Sequence, residues 1–285
     1  MKKFFTLLMI CALVLLTGCG SSQDSDAKKD QTSSSPEYKI GMIIHLNATE
    51  SKVAELYAEA MKQANIESNK SVVKYYDNLK LMQMGLDAND VDTISVYKCV
   101  ASYLIASTGD KYVNVEGFKS LALADSFCFA VRKEDSALKA DLDKTIDAMK
   151  ADGTLDKLVK TYITDAKAGK IAKVDIPKID GAPTIKVGVT GDLPPLDLVL
   201  EDGSPAGFNT AMLAEIAKRL NRNIEIVQIA SGARAAALAS DQIDVIFWAV
   251  VPNSKNFPND IDKPEGVEFS VPYFQDSVAH IELKK

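Results

Sequence analysis

Apolar positions between residues 38 and 163 fall into short continuous runs separated by stretches with helical spacing. The runs at 38–44, 71–76, 91–96 and 126–131 read as strands, each bounded by polar turn residues. Between them, 50–64, 78–86 and 98–107 carry the periodicity of helices, with Thr49 placed as N-cap of the first. Residues 135–163 read as two helices broken at Gly153. The pattern then stops. Residues 164–183 are rich in Lys, Ala, Pro and Gly without a period, as a linker is. It resumes with strands at 184–189, 224–229, 243–248 and 278–283 and helices at 209–220 and 234–239. Strand–helix alternation of this kind predicts an α/β protein with mostly parallel sheets flanked by helices.

One stretch has an echo. LDANDVDTI at 86–94 and LASDQIDVI at 238–246 share a helix end, a tight turn, an Asp and a buried strand. Many short helix-to-strand joints look alike, but each copy lies in its own βαβ half. The pair therefore points to two pseudo-equivalent lobes.

The N-terminus changes the picture from a plain globular chain to an exported one. Lys2 and Lys3 precede an apolar run at 4–16, and LTGC at 16–19 resembles the lipobox of bacterial lipoproteins. That resemblance makes 1–18 a lipoprotein signal peptide and Cys19 the lipid attachment site. A transmembrane anchor is the alternative, against which the run is short. Residues 19–37, rich in Ser, Asp, Lys and Gln, cannot bury apolar surface and read as a flexible tether with a reach of roughly 20–25 Å.

Composition then removes several function classes. A net charge of −6 provides no basic footprint for nucleic acid, and 47% hydrophobic with 25% charged residues is ordinary for a globular body. Export would permit a disulfide between Cys99 and Cys128, but both sit in apolar runs, as buried thiols do. His45 and His280 are far apart in sequence and suggest no metal site. No phosphate loop, cofactor motif or nucleophile–base–orienter set is visible, so no cofactor is expected.

Six patches occur in a telling order: IKVGV at 185–189, LPPL at 193–196, EDG at 201–203, GFN at 207–209, IDVI at 243–246 and FSVPYF at 269–274. Together they resemble the first lobe of family 3 bacterial extracellular solute-binding proteins, which mostly serve amino-acid uptake. Residues 38–106 resemble the family's second lobe, FCFAVRK at 127–133 its returning strand, and KADGTL at 150–155 its closing helices. The resemblance implies a two-lobed, periplasmic-binding-protein-like (type II) fold with the lobe order permuted. Lobe 2 would span 38–131, the closing helices of lobe 1 132–163, the linker 164–183, lobe 1 184–275, and a hinge strand with the C-terminus 276–285. Two truncated copies fused head to tail are the competing reading, but neither half repeats the other's motifs.

Open parallel sheets bind ligands beyond the carboxyl ends of their strands, so site candidates follow the strands. Thr49 matches a family hydroxyl at a helix start that favours an anion, or is a plain cap. Arg234, in Ser231-Gly232-Ala233-Arg234, resembles the arginine of acidic-amino-acid binders and could grip a carboxylate, or is a solvated helix-start arginine. Trp248 could wall the cleft or pack in the core. Asn47, Tyr97, Lys98 and Asp192 are positional candidates. Departures from the family pattern are frequent: Leu193 and Leu196 for aromatics, Trp248, Ala249 and Val251 for small polar residues, Asn256 near the expected arginine, and Tyr97 for the ammonium-binding Asp. An ordinary zwitterionic amino acid therefore fits poorly. The expected function is a lipid-anchored, extracytoplasmic, monomeric receptor. It would hand a small polar, carboxylate-bearing solute to the permease of an ABC-type transporter by hinge closure. The alternatives are a dehydratase-like enzyme on the same fold, with Asp192 or His45 as acid or base, and a ligand-sensing surface lipoprotein without a transporter.

Overall fold

The computed structural model describes residues 38–63, 71–115, 124–166, 171, 173–254 and 257–285. Residues 1–37, read above as a signal peptide and tether with Cys19 between them, Asn256 and part of the 164–183 stretch lie outside the described residues. The first half runs β1 (Tyr38–Ile43), α1 (Glu50–Gln63), β2 (Ser71–Tyr76), α2 (Leu79–Asp87), β3 (Thr93–Tyr97), α3 (Lys98–Ser107), β4 (Tyr112–Asn114) and β5 (Ala124–Arg132). Two helices follow, α4 (Ser136–Ala151) and α5 (Thr154–Val159), the latter continuing into a π-helical turn (Lys160–Thr164). The second half runs β6 (Thr184–Val189), β7 (Asp192–Leu193), β8 (Asp197–Val199), β9 (Pro205–Ala206), α6 (Phe208–Leu220), β10 (Asn223–Gln228), a 3-10 turn (Ser231–Ala233), α7 (Arg234–Ala239), β11 (Val245–Pro252), β12 (Val267–Phe269) and β13 (Phe274–Leu283). No helix among the described residues is long and apolar enough to cross a membrane.

The strands join in the order β10-β6-β11-β5-β13-β3-β1-β2, with β12 beside β5 and β4 beside β13. Parallel pairs build the outer part of each half, β6 with β10 and β11, and β1 with β2 and β3. Antiparallel pairs join the halves. β5 meets β11 on one side and β13 on the other, and β13 then continues onto β3 and β4. The alternation of strand and helix predicts the parallel units but not these crossings, which are set by long-range pairing.

The β5–β13 neighbourhood is where sequence expectation and structure part. The returning strand read at 127–133 and the strand read at 278–283 fall on β5 and β13, which the permuted lobe order makes the crossings between the halves. The strands are indeed neighbours, but Phe274, Gln275, Asp276 and Ser277 do the pairing, opposite Phe127, Ser126, Asp125 and Ala124. Strand β13 starts earlier than its apolar run because Phe274 is drawn inward. Its ring lies 5.3 Å from Phe127 and 5.4 Å from Phe208. Phe129, Phe247 and Tyr273 extend the same aromatic core. The small sheet β7-β8-β9 was also not expected, since its strands are two or three residues long and carry no periodicity.

The echo is a real repeat of geometry. Helix α2 ends in a turn through Asn89 (φ 56°) and α7 in one through Asp241 (φ 59°). In each copy the following Asp ties the joint to the first strand of its half. The Lys39 amide donates to Asp92 Oδ2 at 2.7 Å, and Asp92 N returns a bond to the Lys39 carbonyl at 2.9 Å. Lys186 and Asp244 do the same, at 2.9 and 2.8 Å. A short polar residue tolerates the left-handed turn, and an Asp three positions on satisfies an amide near the start of the neighbouring strand.

Candidate ligand-binding site

Between the halves lies a cleft cavity of about 100 Å³, lined by Tyr97, Asp125, Arg234, Trp248, His45 and Asp262 among others. Trp248 is aimed there by the backbone. The β11–β5 register slips between Ile246 and Ala249, and Trp248 itself adopts φ 68°, a conformation unusual for a bulky side chain. Such a bulge turns one side chain out of the strand's alternation. Strain of this kind costs on the order of 1–3 kcal/mol and persists only where surroundings fix it. Tyr97 holds one side, edge-on to the indole at 6.0 Å. Arg234 holds another, with its guanidinium carbon 5.1 Å from the ring centroid.

Arg234 is only 3% exposed. Its Nε donates to the Ser231 carbonyl at 3.2 Å and its Nη1 to the Trp248 carbonyl at 2.7 Å. It forms no carboxylate ion pair among the described residues. Burial lowers its proton affinity, and the field of Asp262 opposes that. Tyr97 donates its hydroxyl to Asp125 Oδ2 at 2.8 Å. Burial pushes the Tyr97 phenol well above its ordinary range, and raises Asp125 as well. Burial also holds the His45 imidazole low; the Arg234 guanidinium pushes it the same way, against the pull of Asp262. His45 Nε2 and Trp248 Nε1 make no hydrogen bond among the described residues.

The structure thus brings together three of the residues chosen from sequence, Tyr97, Arg234 and Trp248. It places the others elsewhere. The Thr49 hydroxyl is an N-cap, accepting from Lys52 N at 3.3 Å and lying 3.2 Å from the Ser51 hydroxyl. Asn47 donates its side-chain amide to the Lys263 carbonyl, and Lys98 is exposed at the start of α3. Asp192 faces the start of α2, where its Oδ2 accepts from Lys80 N at 3.3 Å. Leu193 does line the cleft, while Ala249 is core. Cys99 and Cys128 are free thiols, both raised by burial, Cys128 to about 12. His45 and His280, though distant in sequence, line one common cavity. No cluster of three or more metal-ligating side chains occurs among the described residues.

Sequence reasoning missed Asp125 and Asp262. Asp262 sits past β11 and is 4% exposed. Its carboxylate accepts from the amides of Leu46, Asn47 and Ala48 at 3.1, 2.6 and 2.9 Å. The loop before α1 is therefore already supplied with an anion, one that belongs to the protein. An Asp in a Pro- and Asn-rich loop that also holds Asp260 gives no local signal of such a role.

No curated protein matches the chain. Solved structures with a similar course over most of it include three bacterial binding domains. One is the GluR0 ligand-binding core of Nostoc punctiforme with L-glutamate (13% identity, 87% of this chain and 85% of that one, TM-score 0.38). The second is a nutrient-binding protein of Burkholderia cenocepacia with methionine (13%, 86% and 84%, 0.40). The third is a methionine-binding lipoprotein of Bacillus subtilis described as putative (13%, 87% and 83%, 0.39). The family model for bacterial extracellular solute-binding proteins, family 3, matches residues 18–165 and 185–284. Those two stretches take in both halves of the sheet and every cleft residue named above, and the chain belongs to that family of solute-binding proteins.

Proposed function

We propose that this chain is a lipid-anchored extracytoplasmic receptor that binds a small carboxylate-bearing solute in the Arg234–Trp248 cleft and delivers it to the permease of an ABC-type importer. One observation carries the ligand assignment. A buried guanidinium spends two donors on main-chain carbonyls and faces the cavity with the rest. A buried cation needs a counter-charge, and a carboxylate meets guanidinium geometry with paired hydrogen bonds. Closure of the halves on the solute would give the permease a distinct surface to recognise.

The experiment is mass spectrometry of solute retained on gently purified protein, followed by calorimetric titration of that solute into wild type, Arg234→Ala and Trp248→Ala. Leaving the anion unpaired costs about 3–5 kcal/mol, or roughly two to three and a half decades of affinity. Unchanged affinity in both variants would remove the site from this cleft. Anchoring at Cys19 has its own test: Cys19→Ala should abolish lipid labelling and membrane retention.

The permuted order of the halves belongs to the same proposal. It is supported by the neighbouring crossing strands β5 and β13, by the family model's two separate matching stretches, and by β13 and β1 flanking the same strand, β3. A chain re-engineered to join its ends and open within 164–183 should fold and bind the same solute. Failure to fold would count against the permutation.

A further inference from the structure

A second cavity, of about 280 Å³, lies beside the cleft. Strands β1 and β2 line it through Ile40 and Val73, helix α1 through Val53 and Tyr57, and the segment after β11 through Phe257 and Ile261. The two cavities adjoin. Seven residues line both: Met42, Val250 and Val278, and four polar ones, His45, Ser95, Asp125 and Asp262.

Those polar residues form the throat, and the charges there are already matched within the protein. Asp125 accepts the Tyr97 hydroxyl, and Asp262 accepts three main-chain amides. What the throat offers a ligand is neutral hydrogen-bonding groups, His45 Nε2 and the Ser95 side chain, with the Tyr57 hydroxyl further in; His45 Nε2 and the Tyr57 hydroxyl have no partner among the described residues. Beyond them the walls are mainly aliphatic and aromatic. A compact polar solute held at Arg234 would leave this volume unfilled and its lining without dispersion partners. A cavity of about 150 Å³ with apolar walls takes up benzene, so this one has room for about two such rings or an alkyl chain of matching volume.

We infer that the solute is an amphipathic carboxylate, with its charged head at Arg234 in the cleft and an apolar tail passing the His45 throat into the cavity beside α1. The inference rests on the carboxylate reading of Arg234 and adds the tail. Each buried methylene contributes about 0.8 kcal/mol, close to a fourfold gain in affinity. Octanoate should therefore bind about two decades more tightly than butanoate.

The test is calorimetric titration of butanoate, hexanoate, octanoate and 2-naphthylacetate, with naphthalene as a neutral probe read by fluorescence anisotropy. It uses the full chain as wild type, Val73→Phe and Arg234→Ala. Val73→Phe fills the cavity from β2, and Val53→Phe fills it from α1 should the first variant not fold. The expected result is affinity rising along the series in wild type, a much smaller rise in the filled variant, and a uniform loss across all carboxylates in Arg234→Ala. Equal affinity for butanoate and octanoate overturns the tail while leaving Arg234 as the carboxylate site. Naphthalene binding that Val73→Phe abolishes, without binding of any carboxylate, overturns the amphipathic inference by its head and locates the error at Arg234. Binding of neither class overturns both.

Discussion

Replacing Asp262 tests how the two halves are held against each other. Its carboxylate accepts three amides from 46–48, the loop that leaves β1, while Asp262 itself follows β11 in the other half. Leu46, 8% exposed, adds an apolar contact in the same direction, packing with Ala130, Ala237, Leu238 and Ile246. Hydrogen bonds to a charged acceptor each contribute about 1.5–3 kcal/mol, but Asn47 and Ala48 lie near solvent and would recover part of this from water once freed. Arg234 and His45 would also lose the field of this carboxylate. Asp262→Ala should therefore destabilise the fold by about 3–4 kcal/mol, lowering Tm by roughly 10 °C for a body of this size. Asp262→Asn keeps one acceptor oxygen at the strength of a neutral bond and should cost about half as much. Urea unfolding followed by circular dichroism gives the shift in midpoint, and an unchanged slope would show that the unfolded state is not the cause. Hydrogen exchange at 46–48 should quicken in both variants. An Asp262→Ala protein within about 0.5 kcal/mol of wild type, the range of an ordinary surface change, would refute the reasoning.

Other expectations follow from burial and close contact. Asp197 is 5% exposed, accepts from Gly191 N at 3.0 Å, and is raised by burial, with Asp192 adding to the effect, to about 6. Because the folded state holds this proton more tightly than the unfolded chain, its contribution is full below the ordinary carboxylate range and is lost as pH rises through about 6. Asp197→Asn should therefore gain on wild type by about 2 kcal/mol between pH 4 and 7, measured as the difference in urea midpoints; parallel curves would count against it. Burial lowers His280 to about 4, which has the opposite sign, and stability is lost as pH falls from 6.5 toward that value. His280→Gln should flatten this acid limb in the same titration, and an unaltered limb would place its cause elsewhere. Gly207 has φ 92°, and an added Cβ would lie 2.8 Å from the Pro195 carbonyl oxygen and 2.9 Å from that of Leu196. Gly207→Ala should cost about 2–4 kcal/mol in thermal or urea unfolding, and a neutral outcome would mean the turn can open.

The strand and helix order of this protein is local information, and the sequence determined it. Apolar runs set β1, β3, β6 and β11, helical spacing set α1 and α6, Gly153 at φ 76° broke α4 from α5, and the Asp92 and Asp244 echo marked equivalent joints. The family was legible for the same reason, since its motifs are short and their order is written along the chain. Tertiary structure alone brought the candidate cleft residues together. Trp248 could be core or cleft until the β11–β5 register slipped beneath it, because a strand's alternation does not reveal where pairing will bulge. Thr49 and Asp262 are 213 positions apart, and only folding shows that a carboxylate of the protein itself accepts the amides just before α1. Burial, register and the meeting of distant charges depend on the whole contact set, and no window of sequence contains them.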